Sequence, residues 1–408
     1  MPGNSLNLLY IHQYFETPEQ FGGLRTYKNA LHLVKQGHKV TVVSGASSYH
    51  TGAKTETAKV IRRREEIDGI QVVWLNTLFR YHRSFLDRAM SFAAFMMAAS
   101  WAGLSIGSDV VYATSPPLTV IIPAFLISRL KRAKLIFEVR DIWPESAITT
   151  GVLGNPLLIS MAQHLEQFAY RVSNRIVAVS DGIRNALVKN GIDSSKMRVV
   201  PHGADLEYFR KGEYDREFRS RYNLDDKFVA LYAGSFGWAN ALEYVVEASY
   251  LLRHFENIRI VLLGDGKEKE RLRSMANEYH LENLIFAEPV PKKDVGSVIR
   301  TADVGLMVLR KSETFATVLP NKLLDYLAAG LPVIINFEGF ASSIVEKAGA
   351  GILVAPDSAE SIAEGLVQLS KDHISARSIG FRGREFVERF YSRESQVREF
   401  EKVVCDGT

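Results

Sequence analysis

Two series of short apolar runs divide the chain. Between Leu6 and Ser180 lie LNLLYIHQY, HKVTVVSG, DVVYATS, KLIFEVRD and RIVAVS. Each is long enough for one buried strand and is bounded by turn or polar residues. Segments with helical spacing separate them, from about Leu24 to Gln36, Leu118 to Arg129 and Pro156 to Arg171. VSDGIRNAL adds a helix with Ser180 as its N-cap. A charged stretch, KGEYDREFRSRYNLDD, comes next. The second series then begins: FVALYAGS, IRIVLLGD, LIFAEPV, VGLMVL, PVIIN and GILV. Strands alternating with helices predict an α/β fold of doubly wound, Rossmann-like parallel sheets, and two series predict two domains. The expected bounds are 1–205 and 206–387. VIRRREEIDGIQVVWL instead reads as a hairpin about Asp68-Gly69, and FVERFYSRESQVREFEKVV as two amphipathic helices broken near Ser392.

Composition narrows the class. Charged residues are 24% and hydrophobic ones 47% of 408, which is ordinary for a soluble chain. A net charge of +4 is too small to argue for nucleic acid. A single cysteine, Cys405, excludes a disulfide framework and fits a reducing compartment, so a cytoplasmic location is expected. MPGNSLNLLYIHQY lacks the basic start of a signal peptide. Residues Ala46 to Ala58 are small and polar, as in a mobile surface loop.

One window raises a membrane question. Ala89–Ile106 carries no charge, and Arg62, Arg63, Arg64, Arg80, Arg83 and Arg88 precede it. It reads as a buried domain helix, as a helix lying on a membrane, or, least of the three, as a span. The expectation is a helix against the inner membrane face.

The chemistry gathers in a few places. In KSETFATVLPNKLLDYLAAGLPVIIN, Pro320 and Asn321 start a helix, Gly330 stops it, and PVIIN is a buried strand. A helix N-terminus at the mouth of a parallel sheet favours an anion, and Lys322 adds a cation there. Asp325, at i+3, shares its face. The pair can hold a diphosphate and a ribose, or it can be a solvated pair on a capped helix. Gly22-Gly23 open the first helix, with Arg25 on its first turn. Glu138, Arg140, Asp141 and Glu145 crowd a Trp-Pro turn at the end of KLIFEVRD, where ligands sit in such sheets. No D-x-D triad and no Cys/His zinc spacing occurs.

The order and spacing of these motifs from about Leu6 to Val404 resemble family 4 retaining glycosyltransferases of the GT-B fold, in which two Rossmann-like domains face a cleft. EVRDIWPES is similar to a subgroup that builds bacterial surface polysaccharides, of the L-fucosamine and N-acetylhexosamine transferase kind. The resemblance implies a donor site and an acceptor site. In the family, two Glu residues eight positions apart contact the donor sugar and the ribose. Asp325 matches the second, conservatively changed, and Thr317 stands at the first in place of a carboxylate.

Leu323 belongs to the same donor helix. Gly22, Gly23 and Arg25, with Gly234 and Ser235 of GSFG, match loops that contact the diphosphate. The Arg and Lys that often follow the second loop are replaced here by Trp238, Ala239 and Asn240. That moves the charge to Lys322, or to Arg310 and Lys311. Pro289 and Val290 fall where the family holds the base through backbone groups, which implies uridine. Asp141 matches an acceptor-side carboxylate and carries over as catalytic with Lys322. Glu138, Arg140 and Glu145 line the acceptor side, and Arg140 replaces a His common in the family. PHGAD resembles the interdomain connector, with His202 structural. The last helix, about 388–408, is expected to pack back on the first domain.

The implied reaction is metal-independent transfer from a UDP-sugar, with no cofactor. The acceptor is a lipid-linked, undecaprenyl diphosphate-type glycan for O-antigen or capsule, and the enzyme is peripheral at the inner face of the plasma membrane. A GT-B sugar-nucleotide epimerase and a non-catalytic carbohydrate-binding or assembly subunit are the alternatives.

Overall fold

The computed structural model describes residues 5–20, 23–46, 62–76, 85–209 and 214–406. Gly22, Arg80, Arg83 and most of the loop from Ala46 to Ala58 lie outside them, as does the side chain of Arg88. The chain forms two compact units, each built on one sheet. Unit 1 holds Met1–Thr17, Gly22–Pro201 and Gln396–Thr408; unit 2 holds Pro18–Phe21 and His202–Ser395.

The strands of unit 1 are β1 (Asn7–Ile11), β2 (Lys39–Gly45), β3 (Arg62–Ile67), β4 (Ile70–Leu75), β5 (Val110–Thr114), β6 (Lys134–Val139), β7 (Arg175–Ala178) and β8 (Met197–Val199). They stand in the order β3-β4-β2-β1-β5-β6-β7-β8. All neighbours are parallel except β3 and β4, the expected hairpin. Its turn places Asp68 and Gly69 at positive φ, as a two-residue hairpin turn requires.

The helices of unit 1 are α1 (Arg25–Lys35), α2 (Phe85–Leu104), α3 (Ile121–Lys131), α4 (Glu145–Thr149), α5 (Pro156–Val172) and α6 (Asp181–Lys189). Ser180 caps α6 by accepting from the Ile183 amide at 3.0 Å. One face of the sheet packs on Phe95, Ala99 and Ala102 of α2, Ile121 and Ile127 of α3, and Ala169 of α5. The other packs on Ala30 and Leu33 of α1 and on Phe400, whose ring lies 6.2 Å from that of Tyr10 and 5.0 Å from that of Tyr112. No described helix is long and apolar enough to cross a membrane, so α2 is not a span.

Unit 2 carries β9 (Phe228–Ala233), β10 (Ile258–Leu263), β11 (Leu284–Ala287), β12 (Val304–Met307), β13 (Val333–Ile335) and β14 (Gly351–Leu353), all parallel, in the order β11-β10-β9-β12-β13-β14. Its helices are α7 (Arg216–Arg221), α8 (Glu243–Leu251), α9 (Lys269–Glu278), α10 (Lys292–Ile299), α11 (Glu313–Ala316), α12 (Asn321–Ala329), α13 (Phe340–Ala348), α14 (Ala359–Lys371) and α15 (His373–Phe390). The final helix is α16 (Arg393–Cys405), and the break before it falls at Tyr391-Ser392. PVIIN is β13, next to β12 and β14 with neighbours on both sides. Gly330 ends α12 at φ 76, the left-handed conformation that glycine adopts without strain.

Within the charged stretch after His202, Asp215 caps α7 through the Phe218 amide at 2.9 Å, and Phe218 is buried. Met197–Val199 forms the short strand β8, at the edge of the unit 1 sheet. Its shortness hid its period.

Candidate functional site

In unit 2 the site residues collect where β9 turns into the loop after Ala233. Leu323, Leu324 and Leu327 are buried and fix the inner face of α12. Tyr326 on the same face accepts a hydrogen bond from the Ala233 amide at 2.7 Å, so α12 is tied to the residue just before Gly234. Lys322, one turn earlier, reaches across that loop. Its Nζ donates to the Tyr232 hydroxyl at 2.7 Å and to Asn240 Oδ1 at 3.1 Å. It also sits 4.0 Å from the Tyr232 ring centroid. A Cβ built on Gly234 would lie 3.0 Å from it.

The loop is braced from below. Tyr232 donates to the Ser235 carbonyl at 2.8 Å, and Asn240 Nδ2 to the same carbonyl at 3.0 Å. GDG, which reads as a plain turn, is an essential close approach. Gly264 lies at φ 147, and a Cβ there would meet the Gly234 carbonyl oxygen at 1.9 Å. No side chain fits that space.

No carboxylate among the described residues pairs with Lys322, and burial pushes its pKa down to about 7. An amine held half-neutral by desolvation stands to gain from an anion. Of the two alternative cations, Arg310 is already engaged. Arg310 is ion-paired with Glu243, donates to the Trp238 carbonyl at 2.9 Å and lies 4.6 Å from the Trp238 ring, so it shapes the 238–240 turn. Lys311 is exposed.

The remaining donor-side residues occupy nearby loops and helix starts of unit 2. Asn321 is exposed and Asp325 half-buried on the first turns of α12. Thr317 ends α11 and its hydroxyl donates to the Thr314 carbonyl at 2.9 Å. Ser235 and Pro289 are exposed and Val290 half-buried. Pro289 and Val290 follow β11, at the same carboxyl edge of the sheet as the Gly234 loop.

Unit 1 corrects two assignments. Arg25 is not a diphosphate ligand here. Its Nε donates to Glu138 Oε1 at 2.9 Å, Nη1 to the Pro201 carbonyl at 2.6 Å and Nη2 to the Val200 carbonyl at 2.7 Å. Glu138 is not an acceptor-side group, for it is 0% exposed and also accepts from Tyr112 at 2.8 Å and Thr114 at 2.7 Å. Burial alone would raise the Glu138 pKa, but Arg25, Thr114 and Arg140 outweigh it and hold the carboxyl below its usual range. The two side chains lock α1 to the sheet and to the end of β8. Gly23, half-buried, precedes α1.

Arg140, Asp141 and Glu145 do lie at the surface edge of unit 1, after β6, and each is half-buried. Burial raises the Asp141 pKa, with Arg140 opposing. Arg140 Nη1 lies 3.4 Å from His12 Nε2. His12 is held neutral by burial and then by Arg140, and its Nδ1 is 2.9 Å from the Thr26 hydroxyl. Arg140 Nε, Glu145 Oε2 and Gln13 Oε1 are buried atoms without a hydrogen-bond partner. Such atoms are rare in a native interior and mark where a ligand's polar groups can be received. His12 and Gln13 were missed because nothing in LNLLYIHQY distinguishes them locally.

The family model "Glycosyl transferase 4-like domain" matches residues 22–203, and "Glycosyl transferases group 1" matches residues 214–386. The chain belongs to the group 1, family 4 glycosyltransferases of the GT-B fold. It is 25% identical over 384 residues to WcaI of Escherichia coli K12, whose name assigns it to colanic acid biosynthesis as a glycosyl transferase. That match covers 90% of this chain and 92% of WcaI. Among solved structures, sucrose-phosphate synthase from Thermosynechococcus elongatus superposes with a TM-score of 0.77 at 16% identity, covering 98% of each chain. HepE of Anabaena, solved in complex with UDP, superposes with a TM-score of 0.70 at 14% identity, covering 98% of this chain and 99% of HepE. At these identities the structural matches establish the fold.

Proposed function

We propose that this glycosyltransferase moves a sugar from a UDP-sugar to a lipid-linked acceptor, with retention, in the assembly of a cell-surface glycan. The sugar is an N-acetylated hexosamine or a deoxy derivative, and the enzyme works at the inner face of the membrane. The observation that carries the donor half is Lys322. It is a half-buried amine with no carboxylate partner among the described residues, set over a glycine turn at a helix N-terminus, and that arrangement suits a diphosphate. UDP in HepE and the colanic acid assignment of WcaI support the same reading.

The roles then follow from charge. As the glycosidic bond breaks, negative charge grows on the leaving UDP, and a fixed ammonium stabilises it more than the ground state. Asp325 holds the ribose, whose charge does not change. Asn321, Gly234, Ser235 and Thr317 line the donor, the backbone of Leu323 lies beside them, and Pro289 and Val290 offer backbone to the base. On the acceptor side, Asp141 orients or deprotonates the hydroxyl, with Arg140 and Glu145 beside it. Attack on the face that the leaving group departs from, with the donor phosphate taking the acceptor proton, needs no protein nucleophile.

Thr317 favours a second reading, a binding subunit without turnover, because a carboxylate is missing from the donor-sugar position. The experiment is UDP release from a panel of UDP-sugars with and without a lipid-linked acceptor, followed by NMR of the product's anomeric centre. Acceptor-dependent release with retained configuration is expected. Tight binding with no release would establish the second reading.

A further inference from the structure

Unit 1 carries an apolar surface that the reaction does not use. Of the large hydrophobic side chains exposed among the described residues, many fall on α2, α3 and the segment from α4 into α5. Their spacing is helical. Met90, Met97 and Trp101 repeat at i, i+7, i+11 on α2; Ile122, Leu126 and Leu130 at i, i+4, i+8 on α3; Leu157 and Met161 at i, i+4 on α5. Each helix therefore has one apolar face on the sheet and a second turned to solvent. Trp101 is 78% exposed, Met97 69%, Leu157 68% and Leu130 64%.

The three helices form one layer. All pack on the same side of the sheet through one core, and the Phe125 and Phe168 rings, 5.1 Å apart, join α3 to α5. The outward faces are thus one surface. An apolar area of this kind on a water-soluble unit marks a place where something docks.

Charge selects the occupant. No Asp or Glu occurs between Ala89 and Gly107 or between Val110 and Phe137. The second interval carries Arg129, Lys131, Arg132 and Lys134 at the end of α3 and the start of β6. Arg129 and Arg132 are exposed, and the Arg129 guanidinium lies 5.4 Å from the Phe125 ring centroid. Beside α2, Arg62 Nη2 donates to Ser105 Oγ at 3.1 Å and brings β3, with its exposed Arg64 and Glu66, to the same edge. Asp109 and Glu66 are exposed near this edge, but no exposed residue of α2, α3 or α5 among the described ones is a carboxylate, and an apolar face with arginines at its rim is complementary to lipid chains beneath anionic headgroups.

We infer that the outward face of α2, α3 and α5 is the surface by which this protein lies on an anionic lipid bilayer. The inference rests on the proposed lipid-linked acceptor for its purpose, while its evidence is the surface itself. It extends the expectation for Ala89–Ile106 from one helix to a three-helix face.

The test is co-sedimentation of the full chain with vesicles of phosphatidylcholine alone and with added phosphatidylglycerol. Recovery in the pellet should rise at least tenfold with the anionic lipid and fall with salt, since exposed charge is screened. The double variant Trp101→Gln, Leu130→Gln should lose at least tenfold of that binding. Arg129→Gln with Arg132→Asn should lose the preference for anionic lipid. None of these residues touches the nucleotide site, so UDP-induced thermal stabilisation should be unchanged and serves as the folding control. Equal recovery in the supernatant with both vesicles, or unchanged binding by Trp101→Gln, Leu130→Gln, overturns the inference. So does a lipid-free dimer that this double variant converts to monomer. Loss of vesicle binding beside intact UDP-dependent transfer refutes the surface alone. Vesicle binding without any nucleotide effect refutes the enzymatic reading alone.

Discussion

Lys322 Nζ lies 2.7 Å from the hydroxyl and 4.0 Å from the ring centroid of Tyr232. The contact joins the first turn of α12 to the end of β9, just before the loop that begins at Gly234. The lysine that should meet the diphosphate is held by neutral groups only, and its chemistry follows from that.

Lys322→Met keeps much of the stem and removes the charge. With saturating donor, kcat should fall by on the order of 10²–10³, the size of one lost electrostatic donor. Asp325→Ala removes the proposed ribose contact, which is uniform between ground and transition state, so it should mainly raise KM for the donor. Steady-state kinetics of the two variants checks this. A Lys322→Met effect confined to KM would reassign the residue.

The same lysine sets a pH dependence. Its folded pKa, about 7, lies below the unfolded value near 10.5. Between these values the unfolded chain binds the extra proton, so stability rises with pH across that window and the full penalty is present below pH 7. Lys322→Met should therefore raise the melting temperature of the ligand-free protein near pH 6.5 by several degrees. Nucleotide affinity should move the other way. It requires the ammonium, and it should fall by up to about tenfold per pH unit above 7. Thermal melts and titrations from pH 6 to 9 read both trends.

Asp141→Asn keeps the shape of the acceptor edge and removes the charge. Transfer should fall by roughly 10²–10⁴ while UDP still stabilises the protein. Normal transfer by the folded variant would remove Asp141 from the reaction.

Arg25→Met should act on stability. It leaves Glu138 as a buried carboxylate without its cation, a loss that costs about 3–5 kcal/mol in buried pairs. Denaturant unfolding should register it as a shifted midpoint of unit 1. Donor KM in the folded fraction should be unchanged.

Much of this architecture is legible in the chain. The runs that became β1, β9 and β13 are apolar on both faces because helices or neighbouring strands cover them, and such runs stand out locally. Pro320, Asn321 and Gly330 mark α12 because caps and stops are local chemistry. Arg25 and Glu138 misled for the opposite reason. They look like surface groups at helix and strand ends, and only the fold brings partners 113 positions apart into one buried pair. Tyr232, Asn240 and Tyr326 gave no signal, since their roles rest on contacts of α12 with the Gly234 loop. Gly264 read as a turn because its near neighbour, the Gly234 carbonyl, is remote in sequence.

The most direct test is a calorimetric titration of UDP into wild type and Lys322→Met at pH 6.5, with EDTA present. Saturable binding to the wild type, at least tenfold weaker in the variant and indifferent to the chelator, is the predicted result. No binding to the wild type, equal affinity in both proteins, or binding abolished by EDTA would contradict a nucleoside diphosphate held at the Gly234 loop by Lys322.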